Sequence, residues 1–458
     1  MLNVVVISLM AFLTPFCSSI YSPGLPEVEG DFGTTPTIAS LSVSIFVIAF
    51  GIGPLFLAPI SETIGRKYIY QVCYVVFTLF QIGCALSTSI GMLIGFRLLA
   101  GLFGSAGIAL GGGTISDMFN PRERAKVVGK YVLGILIGPV IGPIAGGFLT
   151  EKLGWRWCFW IMTIVGGVNS LVGILFLKET YAPQLLKLRA ARLAKELNHP
   201  TIAADHDPRS LGRRLFQAIK RPMKILFLQP IVFIMACYMA LLYGTLYLRT
   251  FYPPSLVEGC VEMLTGAVFT TFPTVWGELY GFNTGLAGLT YIGLGVGFLL
   301  AVLFGIPQID RVYNRLADRN GGLGKPEYRI PLANVGAVCI PVGLFWYGWS
   351  VERHCFWLVP ILGTAVFGLG MILIFNAIQN YYIDAFTRYA ASAIAAGSVF
   401  RAIVGAVFPL FAPYLYAALG YGWGTSVLAF VAVLLMPMPI IIMTYGERIR
   451  KRFVINLD

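Results

Sequence analysis

The sequence predicts an all-α membrane protein with twelve transmembrane helices in two six-helix bundles. Three observations lead there. Apolar residues (A, V, I, L, M, F, W, Y, C) fill 57% of the 458 positions and charged residues only 12%, about half the charged share of an ordinary soluble domain. Twelve separate runs are long and apolar enough to cross a bilayer, which takes about 20 helical residues. The basic residues fall almost wholly on one side of those runs. So few polar groups cannot cover a water-facing surface, which excludes a soluble enzyme, a disordered chain and a secreted disulfide scaffold.

The runs lie near 3–21, 38–59, 68–88, 90–114, 127–149, 156–177, 225–247, 286–306, 331–350, 355–380, 387–416 and 422–445. None alternates as a barrel strand would. The first begins almost at Met1 and lacks the charged leader of a cleavable signal peptide. With the N-terminus inside, 27 of the 33 Lys and Arg occupy cytoplasmic segments and 4 lie outside. The positive-inside rule then puts both termini in the cytoplasm of a multi-pass protein, expected in the plasma membrane. The net charge of +12 is an orientation signal beside anionic lipid, and no nucleic-acid partner is expected. The three histidines (His199, His206, His354) lie in loops and the eight cysteines have no zinc spacing. No P-loop for ATP is present. No metal, cofactor or enzymatic centre is expected.

The longest cytoplasmic segment, 180–223, separates a bundle over 1–179 from one over 224–446, with a tail at 447–458. It contains LLKLRAARLAKEL, an apolar–basic pattern suited to a helix lying along the membrane surface. Spans 5 and 11 look like repeats, since Pro143 precedes Gly154 by the same interval as Pro409 precedes Gly420. Parallel six-span repeats are a transporter plan.

Particular residues stand out within this frame. Gly134, Gly138, Gly142 and Gly146 recur every four positions of span 5, with Pro139, Pro143 and Gly147 beside them. That spacing sets the glycines on one helix face, where a neighbour's backbone can approach. Arg97 sits inside span 4 and Arg401 inside span 11. A charge at such depth is costly unless it is paired or faces a wet cavity. Asp117 closes span 4, with Arg122 or Arg124 as candidate partners, and Asp384, near the cytoplasmic end of span 10, is a candidate partner for a loop base. Tyr238, Tyr243, Tyr247, Tyr291, Asn376, Gln379 and Asn380 are candidate cavity residues, because aromatic and amide walls suit large amphipathic ligands. No Asp or Glu lies at mid-depth in any span, so no proton carrier is visible.

Several stretches carry a resemblance. They are APISETIGRKY after span 2, RLLAGLFGSAGIALGGGTISDMF ending span 4, GILIGPVIGPIAGGFL in span 5 and KETYAPQLL after span 6. The second half adds PEYRIP, PVGLFWYGWS and NYYIDAFTRYAASAIAA. Together they resemble the major facilitator superfamily, and within it the fungal twelve-span drug:proton antiporters. The resemblance implies the major facilitator fold. The loop after span 2 is similar to that family's G-x-x-x-D-R-x-G-R-K signature, with Ala58 for the first Gly and Glu62 for the Asp, while Gly65, Arg66 and Lys67 match. It implies a cytoplasmic latch that breaks on switching, in which Glu62 accepts from a helix N-terminus or pairs with a loop Arg. Span 5 resembles the antiporter motif G-x-x-x-G-P-x-x-G-G, which implies a hinge and a seal against leak. Arg97 is linked by the same resemblance to proton transfer. The function implied is proton-coupled export of drugs, toxins or secondary metabolites by a monomer working through alternating access. The alternatives are an uptake symporter or facilitator, and a non-transporting sensor on a transporter scaffold.

One stretch departs from the pattern. Residues at about 249–268 form an atypical insert after span 7, and codons for Arg249–Thr250 and Ala267–Val268 can spell a splice donor and acceptor in frame. The insert reads either as a genuine outer loop or as a translated intron.

Overall fold

A computed structural model describes residues 2–119, 121–196, 211–248, 276, 279–386 and 390–452, without the side chains of some positions, chiefly in spans 5, 7 and 11 and in the first half of the helix before span 7. In the first half, span 1 is Leu2–Ile20, followed by a short helix, Leu25–Phe32. Span 2 (Pro36–Ile64) opens on Thr35 in an extended conformation and on Pro36, whose fixed φ suits a first helical position. Span 3 is Arg66–Ala85 and span 4 is Ile90–Gly104 continued, after a break at Ser105, by Ala106–Met118. Ser89 starts span 4 by accepting the Met92 amide at 3.3 Å. Spans 5 and 6 are Pro121–Leu153 and Arg156–Phe176.

Two helices, Ala182–Glu196 and Leu211–Leu228, lie between the halves. Span 7 is Pro230–Leu248. Span 8 is built in pieces, Thr284–Leu289, Ile292–Leu300 and a π-helical turn at Ala301–Gly305, and runs on into Ile306–Arg319. Spans 9 and 10 are Pro331–Glu352 and Leu358–Ala385. Spans 11 and 12 share Ala390–Leu435, broken at Gly420, and Met438–Arg452 follows. Gly420 has φ +71°, a left-handed conformation that glycine adopts without steric cost.

Among the described residues nine helices are long and apolar enough to cross a membrane, and Pro222–Leu228 with Pro230–Ala240 forms a bent tenth. Pro121–Leu153 and the first arm of Ala390–Leu435 complete the predicted twelve. Two boundaries differ from the composition-based reading. Residues 225–228, apolar enough to be assigned to span 7, belong to the preceding helix, because the chain turns by 97° at Gln229–Pro230. Their apolarity serves burial instead: Ile225 and Leu226 are enclosed. Span 12 continues as helix to Arg452, beyond the apolar run.

Each half has its own core. One is built from residues between Val4 and Leu177, the other from residues between Ile225 and Ile442 with Val140 of span 5 inserted into it. The outer girdle is bare hydrocarbon: Leu175, Phe304 and Leu434 are each about two-thirds exposed or more. Water would not tolerate such a belt, and a bilayer covers it. The halves meet along two seams, span 2 against span 11 and span 5 against span 8.

Candidate transport site

Gly65 ends span 2 and starts span 3 at φ +115°, so two helices turn within a single residue. The turn points Arg66 inward. Its Nε donates to Asp117 Oδ2 at 2.8 Å and its Nη1 donates to Ser61 Oγ at 3.0 Å. Both partners of the ion pair are largely buried, at 8% and 18% side-chain exposure. The guanidinium also stands over the Tyr181 ring at 5.4 Å. A methyl at Gly113 would come within 2.7 Å of it, so glycine there makes its room. Asp117 thus takes a partner more than fifty positions away. The side chains of Arg122 and Arg124 lie outside the described residues.

The amides at the start of span 3, one of the two partners expected for Glu62, are accepted by Glu179, from the KETYAP stretch. Its carboxylate accepts the amides of Arg66 at 3.0 Å and Lys67 at 3.1 Å, and those of Thr180 and Tyr181 at 3.0 Å. A carboxylate on the free amides of a helix start offsets both the unpaired donors and the dipole. Glu62 stands near enough to Arg66 to act on its charge. Sequence reasoning missed Glu179, although an acid immediately after an apolar span, on the same side as the Gly65 turn, was a usable signal.

The second half repeats the arrangement. Arg329 of PEYRIP donates through Nε to Asp384 Oδ2 at 2.8 Å and through Nη1 to Asp310 Oδ1 at 2.6 Å. Its guanidinium lies 3.8 Å from the Tyr313 ring centroid. Asp384 therefore does pair with a loop base. Beside this pair, Glu327 is buried with Arg450 Nη2 3.3 Å from its Oε1. Lys325 bonds Glu447 at 2.7 Å, and that hydrogen bond and charge hold its ammonium above the usual lysine range.

Span 5 lies between its own bundle and the other. A Cβ at Gly134 would stand 3.0 Å from the Ser8 carbonyl oxygen, and at Gly138 2.9 Å from the Phe16 amide nitrogen. At Gly142 it would strike Ser19 Oγ, and at Gly146 the Ile20 carbonyl oxygen. All four glycines therefore face the span 1 backbone in register. The helix runs unbroken through Pro139 and Pro143, and Gly147 is buried beside Gly146. The opposite side meets span 8, where a Cβ at Gly288 would come 2.8 Å from the Pro143 carbonyl oxygen.

The two arginines within spans have different surroundings. Arg97 is fully buried inside the first bundle. Its Nε donates to the Ser42 carbonyl and its Nη1 to the Cys17 carbonyl, each at 3.2 Å. The Phe46 ring covers it at 4.3 Å and Tyr21 at 5.4 Å. Main-chain oxygens, the Cys17 sulfur at 3.6 Å and ring faces thus surround the charge. Arg401 instead lines a small, partly open recess with Gln379, Tyr382, Ser398 and Met239. Its Nη2 donates to Ser398 Oγ at 3.5 Å. Of the cavity candidates, Gln379 joins this recess. Asn380 instead bonds Asn376 through its Nδ2, at 2.8 Å to both the carbonyl and Oδ1. Tyr238 and Tyr291 are buried in the core of the second bundle. The side chains of Tyr243 and Tyr247 are outside the described residues. Tyr382 and Ser398 were missed because neither residue type is distinctive in an apolar run.

A sequence model of the Major Facilitator Superfamily matches residues 7–409. The chain belongs to that family. The efflux pump radE of Floropilus chiversii is 43% identical over 460 residues, which cover 99% of this chain and 82% of that one. The MFS-type transporter tndD of Aspergillus flavipes is 44% identical, covering 98% and 81%. The efflux pump vrtL of Penicillium aethiopicum is 41% identical, covering 98% and 86%. Among solved structures, the xylose transporter XylE from E. coli in a partially occluded inward-open conformation superposes with a TM-score of 0.63 at 16% identity, over 95% of this chain and 96% of that one. That likeness is one of fold.

Proposed function

We propose that this chain is a proton-coupled exporter of small organic molecules, of the secondary-metabolite or drug class, and not an enzyme. It works by rocking one six-span bundle against the other. The observation that carries the reading is the span 5 glycine register against span 1, with span 8 on the opposite side. It sets a tightly packed, proline-bearing helix at the junction of the bundles, where a hinge and a seal would act. Relatives named as efflux pumps support the outward direction.

In this reading the ion pairs Arg66–Asp117 and Arg329–Asp384 are the latches of the cytoplasmic side. Gly65 and Lys67 shape the first, and Glu62 and Glu179 tune it. Arg97 and Arg401 serve coupling and substrate contact, and the recess beside Gln379 is the candidate ligand wall. The protein works as a monomer in the plasma membrane with both termini cytoplasmic. The test is efflux of preloaded aromatic compounds from cells that express the chain, compared with a Gly138→Leu variant of equal surface abundance. Loss of efflux in the variant supports the reading, and unchanged efflux contradicts the hinge.

A further inference from the structure

We infer that helix Leu211–Leu228 is a strap for anionic phospholipid, laid on the cytoplasmic side across the seam between the two bundles. This inference concerns regulation and does not depend on substrate or transport direction. The helix carries Arg213, Arg214, Lys220, Arg221 and Lys224 and no acid. The 97° turn at Gln229–Pro230 sets its last turns across the axis of span 7, and therefore along the plane of the membrane that span 7 crosses.

At about 100° per residue the helix has three faces. Pro222, Ile225 and Leu226 are buried, and the helix packs against span 2 of the first bundle and span 11 of the second. A second face groups Phe216, Met223 and Phe227, exposed at 67%, 37% and 64%. Helical register puts Lys220 and Lys224 directly beside that stripe as the third, basic face; the side chains of Arg213, Arg214 and Arg221 lie outside the described residues. Lys220 Nζ lies 5.9 Å from the Phe216 ring centroid, so one aromatic–cation edge is already formed.

An exposed apolar stripe flanked by bases is the pattern of a helix at the boundary of acyl chains and phosphate headgroups. Continuity points to lipid as the occupant and not to a protein. The Phe227 ring stands 6.4 Å from that of Phe233 on span 7, and Phe233 is 37% exposed on a membrane-spanning helix. The apolar stripe therefore runs on into surface that the bilayer must cover. Because the buried face touches both bundles, headgroups held by the basic arc favour the arrangement in which spans 2 and 11 lie together.

The test uses the full chain in nanodiscs with a bimane on Phe216→Cys, and the unmodified chain labelled in the same way as background. Phosphatidylserine brominated on its acyl chains should quench the label several-fold more than brominated phosphatidylcholine at the same fraction. That preference should vanish in a Lys220→Gln/Lys224→Gln variant, and also on the native bases in about 1 M salt, where the Debye length falls to about 3 Å. Equal quenching by both lipids overturns the inference, as does a preference that survives salt. No quenching by either lipid, with the label shielded from aqueous iodide, would mean that a protein covers this face and overturns it too. For the seam, phosphatidylserine should raise the thermal unfolding midpoint of the native chain and not that of the double variant. An equal rise in both contradicts the strap.

Discussion

Arg66 donates from Nε to Asp117 Oδ2 at 2.8 Å, and this pair joins the single-residue turn between spans 2 and 3 to the C-terminal end of span 4. Arg329 and Asp384 repeat it, at the same distance, between the approach to span 9 and the end of span 10. Spans 3 and 4 of one bundle correspond to spans 9 and 10 of the other, so the internal repeat that was legible in spans 5 and 11 extends to the charged ends of these spans. In both copies the arginine also lies against a tyrosine ring.

Removing one member of a buried pair strands the other, at a cost of about 3–5 kcal/mol. Asp117→Ala and Arg66→Ala should each lower the thermal unfolding midpoint and cut efflux at least tenfold. The exchange Arg66→Asp with Asp117→Arg should recover part of the stability and little of the efflux, because the backbone at Arg66 stays capped by Glu179 while the swapped arginine loses Ser61. Differential unfolding and efflux on the same preparations check both.

Glu179→Gln should destabilise the first bundle by about 1 kcal/mol, the usual scale for a lost carboxylate at a helix start. Glu62→Gln should cost less stability, since the cap is made by Glu179. A larger thermal shift in Glu62→Gln than in Glu179→Gln would reverse the assignment.

Methyl groups on the span 5 face should grade with the space available. Gly134→Ala meets the Ser8 carbonyl oxygen at 3.0 Å, whereas Gly146→Ala falls on the Ile20 carbonyl oxygen. Overpacking of this kind costs about 1–3 kcal/mol. Stability and efflux should therefore fall in the order Gly134→Ala, Gly138→Ala, Gly146→Ala. Gly167→Ala, where nothing lies within 4 Å, is the control and should behave as the native chain.

The insert at about 249–268 lies outside the described residues. The splice reading predicts that mature transcripts lack 57 nucleotides of the stretch, so that Leu248 is followed by one Leu codon made at the joint and then by Phe269-Thr270-Thr271-Phe272. Transcripts that retain it throughout would establish a genuine loop.

Much of the fold was legible because a bilayer imposes two crude requirements, apolar length and basic asymmetry, and both survive in composition. The span 5 face was legible because four glycines at helical spacing leave one geometric use. The cluster around Arg66 was only half legible. Arg66 was marked by its motif, but Asp117 and Glu179 reach it through tertiary packing between segments separated by whole spans, which local spacing does not encode. Arg97 shows a further limit. Its depth indicated a special environment, yet the oxygens that hold it belong to the main chain at Cys17 and Ser42, and any residue types there would supply them. The 97° turn at Gln229–Pro230 was not legible for a related reason, since Ile225 and Leu226 are as apolar as a membrane span but are buried against protein.

Proton-coupled export is tested most directly by following efflux of a preloaded aromatic compound from cells that express the chain, before and after a protonophore collapses the gradient. The account predicts that efflux stops on collapse and resumes when an inward proton gradient is restored. It also predicts that Arg97→Ala abolishes the dependence of the rate on external pH. Efflux that continues unchanged without a gradient would contradict it.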